Sequence, residues 1–297
     1  MIRAKRGCYL LLIVIMLILQ MLPGSVFAAY SRVITFGADL NRGQKNILAT
    51  EFGVNLADTG IPVVDVTNAE ERRYLEGLVP EEVLGTRAIS SALVEMLPTG
   101  QGIEVETRNI TWVTKDMYAN ALATARVKDA RISVAAPFPV SGTAALTGIF
   151  KAFEHATGKS LGDRFKKVAN EELVKTGNLG REIGKDKATK LILFVKERVV
   201  AEKAKDPERI RQIIINVAGD LNITLTDRQV DEITVLMRKI SGLNLEARDL
   251  SGQLKSLKTD VERALAKQPE FRTWLERLLD ALSRLIEEIR TLILREK

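Results

Sequence analysis

The chain offers few residues that could do chemistry. It has one histidine, His155, and one cysteine, Cys8. A Ser-His-Asp triad would have to use His155, and no Gly-x-Ser-x-Gly turn accompanies it. His155 falls near the end of a helical pattern, where a basic residue suits the negative end of the helix dipole, so it reads as structural. A His/Cys zinc site is excluded by the same counts, and no Asp-x-Asp-x-Asp-Gly loop is present to take calcium. No metal and no cofactor is expected. Carboxylates are the remaining acid–base candidates: Asp39, Asp65, Glu104 and Glu106. Glu104 and Glu106 share one face of a strand pattern, a spacing that glycoside hydrolysis could use, although strand-face charges are ordinarily just solvated.

The best candidate for binding is Ser141-Gly142-Thr143. A strand pattern ends before it and a helix pattern starts after it. A helix N-terminus presents free N–H groups and the positive end of a dipole, and small residues let an anion approach. The plainer alternative is that Ser141 caps the helix, Gly142 permits the turn, and nothing binds. Two glycine motifs are decoys. Gly158-Lys159-Ser160 resembles the end of a phosphate loop, but Phe153 occupies the position of the required first glycine. Gly100-x-Gly102 has Val105 where its third glycine would stand and reads as a turn. Asn109-Ile-Thr111 and Asn222-Ile-Thr224 fit the glycosylation sequon, which matters only in a eukaryotic secretory pathway.

The elements that would position these residues can be read in order. Residues 1–28 have a basic start (Arg3, Lys5, Arg6), an apolar run over 9–22 with Cys8 at its head, a Pro23-Gly24 break, and Val26-Phe27-Ala28 as a cleavage signal. This is read as a signal peptide cut after Ala28 or Ala29, with a retained N-terminal anchor as the alternative. Three of the six excess positive charges leave with it, so the basic balance of the 297-residue chain is partly a leader effect. Nucleic acid is not an expected partner, because no dense Lys/Arg patch exists.

Residues 29–157 are expected to form an α/β or α+β layered domain in the order β-α-β-α-β-β-α-β-α. Strands are expected at 31–36, 61–66 (buried), 88–96, 103–110 and 131–135 (short and central, ended by Pro137-Phe138-Pro139-Val140). The strands at 88–96 and 103–110 are expected to pair as a hairpin across the Gly100–Gly102 turn. Asn41/Gln44 and Thr67/Glu70 are capping-box pairs, and Thr114 caps a helix from 115 to about 126. A final helix is expected over 144–156.

Composition shifts after Gly158, and residues 158–297 read as an all-α region. Helices are expected over 161–175, 186–203, 207–218 and 229–240, with Gly177, Gly180 and Gly184 as a flexible joint. Asp206-Pro207 and Thr226/Gln229 are the start signals. Residues 249–267 and 271–295 carry heptad-like apolar stripes and are expected to pair as a helical hairpin. That last stretch can close on the chain itself, or support self-association through residues 270–297.

Several strings in order resemble the YpuA family of exported proteins, also filed as domain of unknown function 1002. They are VITFGADL, AISSALVE, TGQGIEV, NITWVT, MYANAL and VAAPFPVSGTAALTGIFKAFE. Family members often carry Ala-Gly where this chain has Ala125-Arg126. The resemblance implies export and a cell-envelope setting in Gram-positive bacteria, and it implies no catalytic residues. The leading functional reading is therefore a non-enzymatic binding or scaffold module of the envelope. Its expected partner is an envelope protein or an anionic wall polymer. The alternative is a carboxylate-dependent hydrolase acting on cell-wall polymer.

Overall fold

A computed structural model describes residues 31–57, 60–79, 81–255, 257 and 259. Strand β1 (Arg32–Gly37) leads through helix α1 (Arg42–Glu51) to β2 (Val63–Val66). Helices α2 (Asn68–Leu75) and α3 (Glu81–Leu84) follow, then β3 (Ser91–Met96) and β4 (Ile103–Ile110). Helix α4 (Lys115–Thr124), β5 (Ala130–Val140) and α5 (Thr143–Thr157) complete this half. The element order matches the one read from the sequence, with α3 added inside the expected 78–85 connection. Local signals set the starts: Asn41/Gln44 and Thr67/Glu70 both form reciprocal capping boxes, and Thr114 accepts from the Met117 amide.

Strand pairing departs from expectation. The sheet order is β2-β1-β3-β5-β4, so β5 lies between the two strands expected to form a hairpin. β3 pairs antiparallel with β5, and β4 pairs parallel with β5. The Gly100–Gly102 loop instead wraps a carboxylate: Asp129 Oδ1 accepts from the Gly100 and Gly102 amides at 2.9 Å each. β2 is an edge strand with Val63 half exposed, and not the buried strand that its apolar run suggested. β5 is longer than expected and runs through Pro137 and Pro139. Those prolines lie beyond Ala135, the last residue that β3 reaches, so their missing N–H groups face a free edge.

The helical half begins with α6 (Asp163–Ile183) and α7 (Lys185–Ala201), then α8 (Pro207–Asp220), α9 (Asp227–Ser241) and α10 (Ala247–Gln253). Gly177 and Gly180 lie inside α6, and only Gly184 interrupts the chain. Gly177 is a packing residue and not part of a joint. A Cβ there would fall 2.3 Å from Cζ2 of Trp112, so the indole rests directly on the helix backbone. The helical hairpin expected over 249–295 lies mostly outside the described residues.

One apolar cluster passes from Val33 and Ile132 of the sheet, through Leu122 and Phe150, to Leu173, Leu191, Ile213 and Leu236 of the helices. Inside it sits a buried ion pair. Lys196 of α7 and Glu172 of α6 are 0% and 1% exposed, with Nζ 2.7 Å from Oε1. Lys196 also donates to the Asn120 carbonyl at 2.7 Å and to Thr124 Oγ1 at 3.0 Å, both on α4. The Thr124 hydroxyl donates to the other Glu172 oxygen. Burial pulls the Lys196 ammonium below the ordinary lysine range, and Glu172 opposes this.

Removing one member of such a pair leaves an uncompensated buried charge, which costs about 3–5 kcal/mol, whereas replacing both by apolar groups is far milder. Urea unfolding should therefore show a large loss for Lys196→Met and for Glu172→Leu. The double variant should be more stable than either single one.

Candidate functional site

Four strands, β1, β2, β4 and β5, run parallel to one another, and β3 opposes them. Their carboxyl ends share one edge of the sheet, and α1, α2, α4 and α5 each start from that edge. In open α/β sheets this is where ligands are held. Ser141-Gly142-Thr143 lies there, between the end of β5 and the start of α5.

The turn is packed on its inner side. Gly142, not Ser141, is the N-cap residue, and it makes no side-chain cap. Its φ of 90° is a left-handed conformation that favours glycine, and a Cβ would fall 2.3 Å from Ile110 Cγ2 and 2.7 Å from the Tyr118 hydroxyl. The expected Ser141 cap is replaced because the residue is used otherwise. Its carbonyl accepts from the Trp112 and Val113 amides at 3.3 and 3.1 Å, and its hydroxyl lies 3.3 Å from Thr143 Oγ1. The Tyr118 hydroxyl donates to the Gly142 carbonyl. Burial pushes the Tyr118 phenol up, and the charge of Glu71 adds to this. The structure thus brings Ser141, Gly142 and Thr143 together, with Gly142 and Thr143 buried and only Ser141 partly open to solvent.

Glu71 is the residue of this region that sequence reasoning missed. It is 0% exposed, and neither carboxylate oxygen has a hydrogen-bond partner within bonding distance. Burial, reinforced by the Asp39 carboxylate, pushes its carboxyl up to about 8; Asn68 and Arg72 offset only part of this. A signal was available. Glu71 stands three and four residues before Tyr74 and Leu75, on the buried face of α2.

The four carboxylates named from the sequence are spread across the fold. Asp39 accepts from the Ala88 amide at 2.7 Å, and Asp65 pairs with Lys45 at 2.7 Å. Asp65 and Glu104 lie on opposite edges of the sheet, four strand spacings or about 19 Å apart across the strands alone. Glu104 pairs with Arg131 at 2.9 Å. That pair belongs to a row of alternating charge crossing four strands: Arg32 bonds Glu95 at 3.0 Å, Glu95 stands opposite Arg131, and Arg131 holds Glu104. Such cross-strand pairs stabilise a sheet face. Glu104 and Glu106 do share a cavity of about 220 Å³ with Lys115, Asp116 and Leu257. A second concavity of about 470 Å³ lies between α6 and α9, where Arg228 bridges Glu182 and Glu232. Among the described residues, no group of three or more His, Cys, Asp or Glu could hold a metal ion. His155 is an exposed residue in the last turn of α5.

Arg126 adopts a positive φ of 64°, so the tight turn at Ala125-Arg126 forms without a glycine. Its guanidinium stacks on Phe165 at 4.2 Å, which ties the end of α4 to α6.

Comparison with known proteins gives two matches. The family described as "Protein of unknown function (DUF1002)" matches residues 36–257. The "Uncharacterized protein YpuA" of Bacillus subtilis (strain 168) is 38% identical over 249 residues, covering 84% of each chain. No solved structure matches.

Gly142→Ala should destabilise the fold by about 1–3 kcal/mol in urea unfolding, from strain at a positive φ and from overpacking. Ser141→Ala, which leaves the backbone bonds in place, should change stability far less.

Proposed function

The chain belongs to the DUF1002 family, and from that premise we propose that it is an exported binding or scaffold module of the cell envelope, not an enzyme. The N-terminal stretch with its Val26-Phe27-Ala28 cleavage signal supports export. Among the described residues no helix is long and apolar enough to cross a membrane.

The single observation that carries the binding reading is the use made of the carboxylates. Asp65 and Glu104 are each committed to a cation, and Asp39 to a backbone amide. An acid–base pair needs two carboxyls facing one bond, about 5–10 Å apart. Here these three serve to hold the sheet surface and its turns. The partner would be an envelope protein or an anionic wall polymer, approaching the carboxyl edge from the side of Ser141. Residues 270–297 would then present or self-associate the module.

The second reading, a wall-polymer hydrolase, keeps one specific observation in its favour: Glu104 and Glu106 line the same cavity. The two readings separate in one assay. The chain from residue 29 onward is incubated with purified wall and with its isolated anionic polymer. Co-sedimentation is measured alongside release of soluble fragments. Binding that weakens with salt, without fragment release, is the expected result. Fragment release that disappears in Glu106→Gln would establish the hydrolase instead.

A further inference from the structure

Helix α2 lies across α5 and α6 beside the carboxyl edge of the sheet. Its rim is tied down by opposite charges. Glu70 pairs with Lys151 of α5 at 2.7 Å, Arg72 with Glu81 of α3 at 2.7 Å, and Arg73 with Asp163 of α6. The Tyr74 hydroxyl adds a bond to Asp163 at 3.1 Å. All of these contacts are exposed or half-buried. The inner face is different: it carries Leu75, Tyr74 and the buried carboxyl of Glu71, within electrostatic reach of the Asp39 carboxylate and the Tyr118 phenol.

We propose that Glu71 is a proton-dependent latch, which holds α2 against the first turns of α5 while its carboxyl is protonated and releases it on ionisation.

The surroundings compensate the ionised form only in part. From the β1–α1 turn the Asp39 carboxylate faces it, with Arg87 bonded to the Asp39 carbonyl at 3.1 Å. From α4 the phenol of Tyr118 faces it, already engaged with Gly142. From α5 the nearest cation, Lys151, is committed to Glu70 and to the Asp65 carbonyl. α5 also carries the Thr147 hydroxyl, which is buried without a partner. From α6, Asp163 and Lys166 meet Tyr74 and not Glu71. On α2 itself Asn68 and Arg72 offset the burial in part, and Glu70 adds to it. None of the cations among the described residues forms an ion pair with Glu71. A buried carboxylate in such a setting either stays neutral or moves to water.

The sign follows from linkage. Glu71 is raised from an ordinary 4.5 to about 8 in the closed form. The closed form is therefore fully favoured below about pH 4.5. It loses ground by about tenfold for each pH unit between 4.5 and 8, and the loss levels off above 8, where both forms are ionised. The latch acts whether or not the Ser141 turn takes a ligand.

Hydrogen exchange on the full chain tests this. Exchange over residues 68–79 and 143–150 is followed from pH 5.5 to 9 and corrected for intrinsic amide chemistry. In the wild type, the opening equilibrium of both segments should rise about tenfold per unit up to pH 8 and then flatten. Glu71→Gln should abolish the slope. Glu71→Met, which removes the polar orphan altogether, should abolish it too, so a folding defect in one variant leaves the other to decide. A flat wild-type profile would overturn the latch, as would a slope that persists in both variants.

Discussion

A charge buried in protein must be answered where it lies, and the pair formed by Lys196 and Glu172 answers itself with groups from three helices. The ammonium reaches the Asn120 carbonyl and the Thr124 hydroxyl of α4, so the pair is complete only when α6 and α7 are both seated on the helix that joins β4 to β5. That helix also carries Tyr118, whose hydroxyl fixes the turn at Gly142. The placement of the Ser141 turn therefore depends on contacts made by the helical half. Trp112 strengthens the same junction: its backbone meets Ser141, its ring rests on Gly177, and Arg181 lies over its face at 5.5 Å.

Toward the end of the described residues a second set of bonds ties α10 to the sheet. The Gln253 side chain accepts from the Asp129 amide at 2.7 Å, and Lys128 pairs with Asp249 at 2.5 Å. Asp129 in turn gathers the Gly100–Gly102 loop. Small residues and turn glycines that suggest a site in isolation prove to be places where backbone segments approach closely. Ser141 is the one partly open member of the turn at 141–143.

What was legible in the sequence is what is decided locally. The capping boxes at Asn41, Thr67 and Thr226, and the Asp206-Pro207 start, are set by side chains three residues apart, and all appear as read. Strand partners are set by contacts between distant segments, and there the reading failed. A glycine-rich loop between two strands looks like a hairpin, but β4 pairs through the β4-α4-β5 unit, and β5 then separates it from β3. Gly177 and Gly180 looked like a joint because nothing local announces that Trp112, about sixty-five residues earlier, needs the space at 177. Glu71 is hidden by its neighbour: beside the cap partner Glu70, a second acid in the first turn suits the helix dipole and draws no notice. Its inward direction follows only from its register with Tyr74 and Leu75.

The shared core and the contacts of Lys196 join the sheet and the helices that follow it through α4 into one folding unit. Comparing urea unfolding of residues 29–157 with that of residues 29–257 tests it most directly. A unit joined this way predicts that 29–157 alone shows no cooperative transition and no near-ultraviolet signature of fixed aromatic packing, while 29–257 unfolds in one sharp step. A fragment 29–157 that unfolds cooperatively on its own, with native-like aromatic signals, would contradict it.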